Sequence, residues 1–131
     1  MQTMDGDKVR SGQCLCGDVR FNARGAPLWV AHCHCLSCRR NTGAPVATFV
    51  GFPEKQVTFT DNRSIFSSSP GVRRGFCGRC GTPVSYEADG KQYVAITANF
   101  ASGLGRLASL TPEVRLPAND PITLYVFALP D

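Results

Sequence analysis

Seven cysteines in a chain of 131 residues fall into three tight runs, Cys14-x-Cys16, Cys33-x-Cys35-x2-Cys38 and Cys77-x2-Cys80. An odd count cannot pair completely as intramolecular disulfides, and cysteines two or three positions apart seldom bridge one another. They converge readily on a metal ion. Zinc is the expected ion, since it takes thiolate ligands in tetrahedral sites and needs no redox chemistry. The chain is the size of one domain, residues 1–131, with a polar stretch at 1–11 expected to be loose. Its 43% hydrophobic and 18% charged residues are an ordinary globular balance. No apolar run is long enough to span a membrane, and Met1 to Ser11 has no signal-peptide core, so a cytoplasmic location is expected. No oligomeric state is legible.

The formal net charge of +4 counts every cysteine as neutral. Zinc-bound thiols are thiolates, so seven of them against two Zn²⁺ bring the loaded protein to about +1. A nucleic-acid partner is therefore not expected from charge.

Scattered Gly and Pro punctuate many short segments, which predicts a mainly β fold. Strands are expected over Val19–Asn22, Leu28–Ala31, Val46–Phe52, Gln56–Thr60, Ile65–Ser68, Val72–Phe76, Val84–Glu87, Tyr93–Thr97 and Ile122–Phe127. Only Leu36–Asn41 reads as helical, and Ala101–Asn119 reads as irregular.

Cys77-Gly-Arg-Cys80-Gly81 has the form of a zinc-knuckle turn and supplies two ligands. Structural zinc takes four. Cys14-Leu-Cys16-Gly17 is the best source of the others, and an extended backbone there would put both cysteines on one face. Cys33, Cys35 and Cys38 then remain as a three-thiolate set. The same alternation puts His32 and His34 on the opposite face; an open fourth position is the better reading, with closure by one of these histidines through a local irregularity as the other. An open position marks a reactive site, and a soft, sulfur-rich zinc suits an incoming thiol. That points towards carbon–sulfur bond chemistry.

The segments Gly12-Gln-Cys-Leu-Cys-Gly-Asp-Val-Arg-Phe21, Cys33-His-Cys-Leu-Ser-Cys-Arg-Arg40 and Gly75-Phe-Cys-Gly-Arg-Cys-Gly-Thr82 closely resemble the glutathione-dependent formaldehyde-activating enzyme family, also called the centromere protein V family. The resemblance implies a β-tent fold of short antiparallel sheets and two Zn²⁺ sites. Cys14, Cys16, Cys77 and Cys80 would be structural, and Cys33, Cys35 and Cys38 catalytic. The implied activity is that of a carbon–sulfur lyase, similar to S-hydroxymethylglutathione synthase, joining glutathione or another small thiol to formaldehyde or a related electrophile. Family members usually carry a Pro-x-x-His-Ile-type segment and a closing Trp. The corresponding stretch here, Pro117-Ala-Asn-Asp-Pro-Ile-Thr-Leu-Tyr-Val126, has no histidine.

Arg39, Arg40, Arg73 and Arg74 flank the cysteine runs and are candidates for a substrate carboxylate. Compensation of the thiolate charge is the plainer reading. Trp29 and the phenylalanines read most simply as core. The alternative function is a non-catalytic binding module with both metal sites structural. Reversible redox or metal buffering through the open cluster is a third.

Overall fold

The computed structural model describes residues 8–97, and within them the chain is mainly β. A small sheet takes β1 (Val9–Gln13), β2 (Arg20–Arg24) and β5 (Val57–Phe59), in the order β1-β2-β5. A larger sheet takes β3 (Trp29–Cys33), β4 (Ala47–Pro53), β6 (Arg63–Ser69), β7 (Val72–Cys77), β8 (Pro83–Ala88) and β9 (Tyr93–Thr97). Its order is β3-β4-β9-β8-β7-β6, and every pairing in both sheets is antiparallel. Helix α1 (Leu36–Thr42) follows β3. The strands expected over Ile122–Phe127 and the irregular stretch Ala101–Asn119 lie outside the described residues.

Alternation builds the core. Phe21 and Ala23 of β2 point inward while their neighbours are exposed, as a half-buried strand requires. They meet Val50 and Phe52 of β4 and Val94 and Ile96 of β9 in one apolar cluster, with Val30, Val57 and Phe59 packed against it. The two sheets therefore share a core. The opposite face of the larger sheet carries Trp29, Cys33, Phe49 and Ala95, which belong to a second cluster around Cys38.

Strand β1 departs from the expectation of a loose segment through Ser11, since Val9–Ser11 pair with Asn22–Arg24. Its inward residue is Arg10 rather than an aliphatic one. The guanidinium is buried; its Nη1 reaches the Gly25 carbonyl at 2.8 Å while its Nε has no partner, so the stem packs and the head is satisfied only in part. No apolar alternation announces such a strand.

Both outer cysteine runs sit in hairpin loops built alike. In one, Cys14 donates its N–H to the Val19 carbonyl at 2.9 Å; in the other, Cys77 donates to Thr82 at 3.0 Å. Gly17 (φ 82°) and Gly81 (φ 83°) turn each loop through the left-handed region, which a side chain would strain. Cys14 and Cys16 thus converge through a turn. The extended run expected there is not what forms: Gly17 N–H closes onto Cys14 at 3.1 Å and leaves Leu15 exposed.

Candidate metal centres and the adjoining pocket

The Cys14 loop leaves the small sheet and the Cys77 loop leaves the large one, and the two loops face each other. Sγ of Cys14, Cys16, Cys77 and Cys80 all lie within 4.8 Å of one another. Cys14 and Cys16 are 3.6 Å apart, and Cys16 and Cys77 3.8 Å. A tetrahedral zinc with bonds of about 2.3 Å needs sulfurs about 3.8 Å apart, so the spacing fits that ion. Amide donors surround the cluster: Val19 N–H reaches Cys14 Sγ at 3.2 Å and Cys80 N–H reaches Cys77 Sγ at 3.4 Å. Thr82 ties the loops together. Its hydroxyl accepts from Leu15 N–H at 3.0 Å and sits 3.2 Å from Cys80 Sγ.

The thiols of this cluster do not behave alike. Hydrogen bonding from the Thr82 hydroxyl and amide pulls Cys80 down to about 5. Cys16 is favoured as thiolate by the Asp18 N–H, but desolvation and the other three sulfurs push it up to about 12. Sulfurs this close cannot all ionise beside one another without a cation. The donor set asks for a positive ion at its centre.

The second cluster is assembled by a strand, a cap and a helix. Cys33 ends β3, and Cys35 is the N-cap of α1, its Sγ accepting from Cys38 N–H at 3.4 Å. Cysteine occupies the place where serine or aspartate would serve. Cys38 is buried one turn on, and Gly43 ends the helix with its N–H on Arg39 at 2.8 Å. The three sulfurs again lie within 4.8 Å of one another. Burial pushes Cys38 up to about 12 despite a guanidinium beside it, whereas the Cys38 N–H lowers Cys35. Three convergent thiols suit the same soft ion.

Among the described residues no histidine or carboxylate joins either group. His32 is turned away, with Nδ1 3.0 Å from Thr48 Oγ1 across the β3–β4 pair.

A cavity of about 260 Å³ opens beside the second cluster, lined by Cys33, Cys35, Cys38, Arg74, Ala31, Ala95 and four aromatic residues. Arg74 is 7% exposed. Its Nη1 donates to Cys38 Sγ at 3.7 Å and its Nε to Ser68 Oγ at 3.2 Å, with the guanidinium over the Tyr86 ring at 5.1 Å. Of the four arginines singled out from the sequence, only this one lines the cavity. Arg73 faces the other way and pairs with Asp89 at 2.6 Å; Arg40 is exposed, and Arg39 Nε is buried without a partner. Trp29, Phe49, Tyr86 and Tyr93 line the cavity as well, where type alone had suggested plain core for Trp29 and Phe49. Parity was the usable signal: Trp29 and Ala31 lie at period 2 from Cys33, so a strand there shows all three to one side.

A sequence model described as glutathione-dependent formaldehyde-activating enzyme matches residues 9–116. Among curated proteins none matches the chain. A solved structure of a Rhodobacter sphaeroides protein superposes with a TM-score of 0.60 at 18% identity, covering 76% of this chain and 94% of that one. At that identity the likeness concerns the fold. Among the described residues no helix is long and apolar enough to cross a membrane.

Proposed function

The chain belongs to the glutathione-dependent formaldehyde-activating enzyme family, and on that premise we propose that it joins a small thiol to formaldehyde or a related electrophile, or cleaves the adduct, as a carbon–sulfur lyase. The thiol is glutathione or a similar molecule. The catalytic residues in this reading are Cys33, Cys35 and Cys38, and Cys14, Cys16, Cys77 and Cys80 are structural. The whole chain acts as one cytoplasmic domain of β-tent type with two zinc ions.

One observation carries the reading. Four thiols close on each other at the junction of the sheets, while three converge on the wall of a cavity. Zinc held by the three would supply a position where a thiol is kept as thiolate, ready to attack carbon. The chain's own groups then do the rest. Arg74 is a fixed, buried cation against Cys38. With Zn²⁺ bound, Cys33, Cys35 and Cys38 as thiolates would give the site one net negative charge, and a thiolate substrate would raise it to two. A guanidinium at that place offsets the increase where water cannot. The mostly apolar lining beside the thiols would limit the water around a bound electrophile.

The test follows glutathione and formaldehyde by exchange NMR on the zinc-loaded protein. Exchange between free thiol and adduct should exceed the spontaneous rate, and Cys35→Ser should return it to that rate with the fold retained. A Cys35→Ser chain as unfolded as Cys80→Ser would contradict the assignment.

A further inference from the structure

The cavity's far wall is set by strand register. Trp29 pairs with Gly51, Gly51 with Ala95, Ala95 with Tyr86, and Tyr86 with Arg74. Laterally paired residues share a face of the sheet, so this row runs large, small, small, large, large. A Cβ on Gly51 would lie 2.2 Å from the indole of Trp29. The ring therefore rests on bare backbone, and Tyr93 stands edge-on against it at 5.1 Å. Phe49 and Tyr86 form the second wall, tilted at 60° with centroids 6.4 Å apart. Ala31 and Ala95 lie among these rings on the cavity lining.

Formaldehyde brings no hydrocarbon for such a trough to desolvate, so the trough has room for more than the reacting carbonyl. Among the described residues, its lining beyond the thiols offers polar side-chain groups on Arg74, the two tyrosines and the Trp29 indole N–H, and is otherwise apolar. Its volume falls below the range of about 300–1,000 Å³ that takes a whole drug-sized ligand. That room takes one ring-sized group. Four aromatic side chains on one lining favour a flat ring, held by offset and edge contacts.

We propose that the trough takes an aromatic or conjugated group that the substrate carries next to its reacting carbon or sulfur; this rests on the thiol–electrophile reading above. The bonding change is that of hemithioacetal formation. The sulfur–carbon bond forms, the carbonyl π pair moves to oxygen, and oxygen gains the proton that the thiol loses. Nothing is oxidised or reduced. The ring rides on either the aldehyde or the thiol, and the experiment separates the two.

Trp29 is the chain's only tryptophan, so its emission reports on the trough. The zinc-loaded full chain is titrated by calorimetry with benzyl mercaptan against 2-mercaptoethanol, and with benzaldehyde against acetaldehyde. Quenching of Trp29 locates binding. In one pair the aromatic member should bind at least about tenfold tighter, the worth of burying a small apolar group. The pair that shows the preference identifies the partner carrying the ring. Ala31→Leu, which narrows the trough, should erase the preference while metal content and circular dichroism hold. Equal affinities within both pairs would overturn the proposal and leave the thiol chemistry standing. Discrimination among aldehydes without any thiol binding would do the reverse. Failure of every probe to bind would sink both.

Discussion

The two cysteine clusters use the same ligand atom and differ in what holds it. The four-thiol cluster is made by two hairpin loops from different sheets, with Thr82 bridging them. The three-thiol cluster is made within one segment, from the end of β3 through the first turn of α1. A metal at the first joins parts of the chain more than sixty residues apart, as the Cys16–Cys77 contact shows. A metal at the second closes only a five-residue span, which loop entropy rewards little. Metal loss should therefore cost more stability at the first cluster than at the second.

The largest expected effect breaks the first cluster. Cys80→Ser, or chelation of its metal, should cost on the order of 10 kcal/mol of apparent binding free energy. Far-UV circular dichroism should then show an unfolded chain. Cys35→Ser should keep the spectrum and a cooperative melt, because the two sheets remain tied. If both variants unfold alike, the contrast between the clusters is false.

Arg74→Met sharpens the contrast from the side of the three-thiol cluster. It removes a charged donor from Cys38, and such bonds are worth about 1.5–3 kcal/mol. Thiol affinity should fall roughly 10- to 100-fold, with Arg74→Lys recovering part of it. Arg73→Met, which only breaks an exposed pair with Asp89, should leave thiol affinity unchanged.

Gly51→Ala should destabilise by about 1–3 kcal/mol and shift Trp29 emission, since the new methyl displaces the indole. A melt combined with a fluorescence spectrum checks both. Thr82→Val should cost least, about 0.5–1.5 kcal/mol, the net worth of the exposed bond from Leu15 N–H that it removes. The midpoint of chelator-induced unfolding should also fall, and that of the second cluster's metal should not.

Much of this was legible in the sequence, for reasons particular residues make plain. Cysteine spacing gave the grouping into four and three, because few side chains converge on one point at such short intervals. The turn at Cys14–Gly17 was not legible as a turn, since alternation predicts the same convergence by another route. Helix α1 was readable from its stop signals at Gly43 and Pro45. Strand β1 was hidden by Arg10, a charged residue in an inward position. Arg73 and Arg74 are neighbours in β7, so a strand shows only one of them to the cavity. Which one depends on how β7 registers against β8, a long-range fact. Trp29 and Phe49 belong to the core as their type suggests, but type alone did not place them on the cavity; period 2 from Cys33 puts Trp29 on the face of the three-thiol cluster.

Substitution with cobalt puts the difference between the clusters to its most direct test. Sulfur-to-cobalt charge transfer in the near ultraviolet counts thiolate ligands on each ion. The chain should bind two ions, and adding a thiol should raise the absorption of one of them only. That increase should vanish in Cys35→Ser. A single bound ion, or two whose spectra ignore added thiol, would contradict the account.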